Sequence, residues 1–176
     1  MTFPKSTLRE ETEHWLLETA NVKSMTDGLF VTLTIPPESI SSYKRKNGFI
    51  DMSNREVCIS MLRNLKNRIK KKFYGRRSWR GWFIPAIEGN GKNKNFHFHI
   101  LISIPDKHSK IKYRDELREY IDDCWKRVVK RNWVSIQIDE GNDLKRRVHY
   151  ICKEITHITS DCIVTELLED NNRLPI

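Results

Sequence analysis

Two histidines, His97 and His99, stand at alternate positions in the run NFHFHILISI, residues 95 to 104. In a β-strand, residues i and i+2 share a face, so both imidazoles point one way and Phe98 the other. Such a pair is either a convergent set of neutral nitrogen ligands or two surface histidines. The preceding segment, WRGWFIPAIE, is a second strand candidate ending in Glu88, and the polar GNGKNKN between them reads as a turn. A hairpin of this kind can bring the Glu88 carboxylate beside the imidazoles. Two histidines and one carboxylate with open positions suit a catalytic divalent ion. Structural zinc takes four ligands, often cysteine, and no cysteine lies near this hairpin. Oxygen from substrate and water would complete the shell, which favours Mg²⁺ or Mn²⁺ acting on a phosphate; Zn²⁺ is also chemically possible.

The second group with chemistry lies in DLKRRVHYICKEITH, residues 143 to 157, which the spacing predicts as a helix with Asp143 as its N-cap. Leu144, Val148, Ile151 and Ile155 form its buried stripe. Tyr150 sits about 120° from that stripe at about 100° per residue. Lys153 and Glu154, three and four residues on, flank the phenol. A lysine ammonium can steady a phenolate and an incoming phosphate, which makes Tyr150 a candidate nucleophile. The same spacing also describes a half-buried tyrosine beside a solvated lysine.

Other elements must position these groups. Residues 5 to 20 read as a helix with Trp15, Leu16 and Leu17 on its buried side, and GLFVTLTIPP as a strand from Gly28 stopped by Pro36 and Pro37. SSYKRKNG reads as a loop. Between Asn54 and Phe73, Val57, Ile59, Met61, Leu62, Leu65 and Ile69 recur at helical spacing, and Tyr74-Gly75 can end that helix. Pro85 marks the second strand as an edge or a bulge. Residues 112 to 130 read as a helix carrying Leu117, Ile121, Trp125 and Val128, and 133 to 139 as a fourth strand. The order β-α-β-β-α-β-α predicts an α+β fold. Its first six elements match a ferredoxin-like split βαβ antiparallel sheet with helices packed on it, followed by the tyrosine-bearing helix.

The length of 176 residues suits a single domain over 1–176. No apolar run is long enough for a transmembrane helix, and the N-terminus lacks the apolar centre of a signal peptide. Four cysteines without a CxxC pattern read as reduced thiols of an intracellular protein. The net charge of +9 is concentrated: no acidic residue falls between Glu56 and Glu88. A basic segment of this kind attracts polyanions, unless it is simply a solvated helix face. RIKKKFYGRRSWRGW interleaves cations with aromatics, a pattern that fits phosphate neutralisation and base stacking. Lys70, Lys71, Lys72, Tyr74, Arg76, Arg77 and Arg80 are the candidate DNA contacts, while Trp82 shares a strand face with Ile84 and Ala86 and reads as core. The mostly acidic stretch after Ser160 reads as a frayed tail or a short extra helix.

Taken in order, FVTLT (30–34), Glu88, FHFHILI (96–102) and YICK (150–153) resemble the motifs of the HUH superfamily of single-strand DNA endonucleases, specifically the rolling-circle replication initiators. The resemblance spans residues 28 to 157. It implies a metal held by Glu88, His97 and His99, and a catalytic pair of Tyr150 and Lys153. Tyr150 would attack single-stranded DNA, leaving a 5′-phosphotyrosyl link and a free 3′-hydroxyl that primes synthesis, and a later reversal would rejoin the strand. The implied partners are single-stranded or hairpin origin DNA and a host helicase and polymerase, without a membrane. The implied setting is the cytoplasm of a bacterial host of a plasmid or virus rather than a eukaryotic nucleus. No helicase domain is expected, and GNGKNK lacks the spacing of a P-loop. Two related readings are a single-tyrosine transposase, which usually has Gln in place of this Lys, and a relaxase, which tends to place its tyrosine before the histidines. A reading from another class is a non-catalytic single-strand-binding module; it leaves Glu88, His97, His99 and Tyr150 unexplained. His14, His108, His149, His157 and the cysteines are expected to have no role in the chemistry.

Overall fold

The computed structural model describes residues 7–21, 28–34, 44–45, 48–49, 55–73, 75, 82–88, 97–103, 114–129, 136–140, 143–153, 155 and 162–168. Its elements run α1 (Leu8–Asn21), β1 (Gly28–Thr34), β2 (Lys44–Arg45), β3 (Gly48–Phe49), α2 (Arg55–Phe73), β4 (Phe83–Glu88), β5 (His97–Ser103), α3 (Arg114–Val129), β6 (Ile136–Glu140) and α4 (Leu144–Ile151), then a 3₁₀ turn at Thr165–Leu167. The fold is α+β. Four strands form one sheet in the order β4-β5-β1-β6 with every neighbouring pair antiparallel. Among the described residues no helix is long and apolar enough to cross a membrane.

Strand alternation divides the interior into two layers. Leu29, Val31, Leu33, Phe83, Ile87, Phe98, Ile100 and Ile102 face one way and pack against α2 and α3. There Phe98 meets Trp125 edge-on at 5.5 Å, and Phe73 meets Tyr120 edge-on at 5.3 Å. Phe30, Ile84, Ala86 and Leu101 face the other way and pack with Trp82, Leu16, Val148 and Ile151, the last two from α4. Trp82 is therefore core, as its spacing predicts. Thr32, Glu88 and His99 interrupt this second layer with polar groups, and it is there that α4 lies.

Four expectations are refined. SSYKRKNG, read as a loop, holds β2 and Gly48 of β3, which pair antiparallel. Trp15, Leu16 and Leu17 all meet the same core layer, but unequally: Leu16 is buried and its neighbours are half-buried against it, because successive helical residues turn by about 100°. The last helix ends at Ile151 instead of continuing to 157. Its chain tightens there, with Lys153 N donating to Tyr150 O and Ile155 N to Cys152 O, so that Ile155 still reaches the core. Residues 162–168 of the acidic stretch dock on the body. Ile87 N donates to Cys162 O at 2.7 Å and Val164 N to Pro85 O at 2.9 Å, which extends the β4 edge around an Ala86–Ile163 bridge. Pro85 fits because β4 is an edge strand of the four, and the Val164 carbonyl opposite its missing N–H accepts from Leu167 N instead. Gly75 closes α2 at φ +65°, its N–H donating to Lys70 O.

Candidate active site

The register of the three adjacent strands builds the site. Ala86 and Thr32 are the partners of His99 on either side, and Glu88 and Thr34 are the partners of His97. Cross-strand partners share a face, so Glu88, His97, His99 and Thr32 all belong to the layer covered by α4. On α4 the Asp143 side chain accepts from Arg146 N at 2.9 Å and fixes the first turn. Val148 and Ile151 anchor the helix, which leaves Tyr150 at 41% exposure on its outer side.

Tyr150 stands over the histidine. Its ring is 5.0 Å from that of His99 and 5.7 Å from that of Phe30, edge-on to both. Phe30 and His99 lie parallel at 5.5 Å. The Thr32 hydroxyl and His99 Nδ1 are 3.0 Å apart, and a hydroxyl can donate or accept, so it holds either imidazole tautomer. The other ring nitrogen, Nε2, is 3.3 Å from Glu88 Oε2. Lys153 joins the two halves: its Nζ is 2.8 Å from Glu88 Oε2 and 3.9 Å from the Tyr150 ring centroid.

The charges follow from these contacts. Burial pushes the Glu88 carboxyl upward, but hydrogen bonds from His99 and Lys153 outweigh it and hold the carboxyl below the usual glutamate range. Burial lowers Lys153, and its contacts with Glu88 and Tyr150 outweigh that and raise it. At neutral pH an ammonium and a carboxylate therefore sit beside the phenol.

Among the described residues the buried Glu88 Oε1 finds no hydrogen-bond partner. A desolvated, unpaired carboxylate oxygen is costly, and a cation is the group that satisfies it best. With His99 Nε2 nearby, these donors suit a divalent ion. His97 stands opposite Glu88 in the register, yet among the described residues no three His, Cys, Asp or Glu side chains gather closely enough to hold an ion. Thus the structure brings together Tyr150, Lys153, Glu88 and His99, and puts His97 on the same face.

The described part of the basic segment falls elsewhere. Lys70, Lys71 and Lys72 end α2, in the layer on the opposite side of the sheet. Tyr74, Arg76, Arg77 and Arg80 lie outside the described residues, as do His108, Glu154 and His157. His149 points away from the site. Its ring meets Arg9 at 3.1 Å and its Nδ1 meets the Glu13 carboxylate at 3.2 Å, tying α4 to α1.

Sequence reasoning gave no role to Phe30, Thr32 or Arg147, whose guanidinium lies 4.7 Å over the Phe30 ring. The alternation of FVTLT puts Phe30 and Thr32 on one face, but only the strand register reveals that this face is the histidine face. No protein-family model, curated protein or solved structure matches this chain.

Proposed function

We propose that this chain is a metal-dependent endonuclease and strand transferase that nicks and rejoins single-stranded DNA through Tyr150, as a rolling-circle replication initiator does. The observation that carries the reading is one salt-bridged cluster: Lys153 contacts both the Tyr150 ring and Glu88, and Glu88 contacts His99. Neither a structural tyrosine nor a plain binding face needs all four groups in contact. The strand order, second-third-first-fourth in the main sheet, supports the ferredoxin-like form of the fold.

In this reading Tyr150 Oη attacks phosphorus, the bond from phosphorus to the 3′ oxygen breaks, and the phenol proton is made up on the departing 3′-hydroxyl through solvent. A 5′-phosphotyrosine and a free 3′-hydroxyl result. Lys153 stabilises the phenolate and then the phosphotyrosine charge. Glu88 holds Lys153 in place, and Thr32 orients His99. Glu88 and His99, already in contact, and His97 on the same face would have to draw together to hold a Mg²⁺ or Mn²⁺ ion, which when bound supplies Lewis-acid polarisation of the phosphate oxygen. Single-stranded or hairpin origin DNA is the substrate class, and helicase and polymerase activities of a host complete the cycle.

The test uses a pool of single-stranded and hairpin oligonucleotides with Mn²⁺, read as a covalent adduct on a denaturing gel. The wild-type chain is expected to give an adduct that a chelator abolishes. Tyr150→Phe should give none while keeping its melting temperature, because the phenol is exposed. DNA binding without any adduct, to single-stranded and hairpin oligonucleotides alike, would reject the nuclease reading and leave the binding-module one.

A further inference from the structure

His99 is buried, at 3% exposure. Its ring lies parallel to Phe30 at 5.5 Å and meets Tyr150 at a right angle at 5.0 Å. Held between the two, the imidazole presents its nitrogens in fixed directions. Nδ1 faces the Thr32 hydroxyl at 3.0 Å, and Nε2 faces Glu88 Oε2 at 3.3 Å. Thr32 and His99 are register partners on β1 and β5, so the sheet itself sets the first of these spacings.

The two ends of the ring face different demands. A neutral imidazole carries hydrogen on one nitrogen and a lone pair on the other. The Glu88 carboxylate only accepts, so Nε2 must carry the hydrogen opposite it, and the Nδ1 lone pair is left to accept from Thr32. A nitrogen that ligates a cation needs its lone pair. An ion held by Glu88 and His99 therefore requires the reverse arrangement, with the hydrogen on Nδ1. A buried Nδ1–H without an acceptor would be costly. Thr32 Oγ1 meets both demands, because a hydroxyl donates or accepts as it rotates. The residue is half-buried, so its own hydrogen can turn to solvent when the oxygen accepts. A carbonyl or carboxylate in its place would only accept, and would fix a single tautomer.

We propose that Thr32 is a positioning residue that lets His99 exchange tautomers. In the ion-free site Nε2–H bonds Glu88; when a divalent ion is held, Nδ1–H bonds Thr32. The Nε2 proton leaves to solvent and a proton from solvent goes onto Nδ1, so the ring stays neutral and does not turn. The inference rests on the reading of Glu88 and His99 as ion ligands. It adds a group that does not touch the ion yet governs how tightly the ion is held.

The experiment titrates Mn²⁺ into the full chain without DNA, reading the free ion by electron paramagnetic resonance. The imidazole is read by ¹⁵N NMR with and without Mg²⁺. Wild type, Thr32→Val, Thr32→Ser and His99→Ala are compared, and the last assigns the ring signal and locates the ion. Valine keeps the branched shape that suits a strand, so Thr32→Val should fold with unchanged far-ultraviolet circular dichroism. It is expected to bind Mn²⁺ about 10-fold more weakly, the lower end of the loss for removing the group behind a ligating histidine. It should also keep Nε2–H at Mg²⁺ levels that convert the wild type to Nδ1–H. Thr32→Ser should bind and convert as the wild type does. Equal Mn²⁺ affinity in wild type and Thr32→Val overturns the proposal. So does Nδ1–H in the ion-free wild type, or a loss in Thr32→Ser equal to that in Thr32→Val. No Mn²⁺ binding by the wild type, or binding that survives His99→Ala, rejects the ion reading itself and the proposal with it.

Discussion

Tyr150 and Cys152 are two residues apart and have opposite fates. The phenol is exposed above His99, while the thiol turns into the second core layer with no surface exposed. Burial, reinforced by Glu13 and Cys162, pushes the Cys152 thiol up to about 12, and burial pushes Cys58 up to about 11. A thiol raised in this way stays protonated and unreactive at neutral pH. In the native chain Cys162, which is partly exposed, is expected to react with a disulfide reagent at pH 8 well before Cys58, Cys124 and Cys152. Fast release of more than one equivalent of thiol label would contradict this placement. The cysteine inside YICK is thus a packing residue, and the chemistry proposed for that motif falls to its tyrosine and lysine.

At the scale of elements, α4 is short and depends on its neighbours for its position. On one side Val148 and Ile151 seat it on the sheet, and on the other Arg9 and Glu13 of α1 hold His149. A half-exposed cluster of this type contributes about 0.2–1 kcal/mol. A double-mutant cycle of Glu13→Gln with His149→Ala is expected to give a coupling energy in that range, together with a lower adduct yield at unchanged DNA affinity. Strict additivity would show that the tie is decorative. The docked segment 162–168 contributes more, because it brings apolar surface. Leu167 is buried in the α2 layer, and Lys66 Nζ donates to its carbonyl at 2.7 Å. Leu167→Ala is expected to cost about 2–5 kcal/mol in denaturant unfolding, the range for truncating a buried leucine. A loss below the range of surface substitutions would mean that the segment is not part of the folded unit.

For the whole molecule, three carboxylates join elements distant in sequence. Glu13 ties α1 to α4, Glu88 ties β4 to the end of α4, and Glu166 meets Arg55 of α2 at 3.2 Å. In each, burial raises the carboxyl but hydrogen bonds and neighbouring positive charge hold it below the ordinary value of 4.5. A depressed carboxyl stabilises the fold above its unfolded value and loses that contribution as pH falls through the folded one. Stability is therefore expected to be level above about pH 5.5 and to fall as pH drops below 4.5, and Glu88→Gln should flatten that fall. Urea midpoints measured from pH 7 to pH 3 check it, and an unchanged pH profile in Glu88→Gln would contradict the role given to this carboxylate.

Hydrophobic period and turn residues determined most of the elements and their order, since alternation marks a half-buried strand and three-to-four spacing marks a helix face. They also placed Trp82 in the core and Tyr150 off the buried stripe of its helix. Boundaries were less legible, as at Ile151, where hydrogen bonds tighten the chain while the apolar stripe runs on. The site divides in the same way. Residue types and local spacing singled out Glu88, His97, His99, Tyr150 and Lys153. Only the tertiary structure decided that Thr32 partners His99, that Phe30 borders the Tyr150 ring with the Arg147 guanidinium over Phe30, and that the basic end of α2 lies behind the sheet. These are matters of strand register and of which face each helix covers. Both are set by long-range packing between segments far apart in the chain, and no local pattern encodes them.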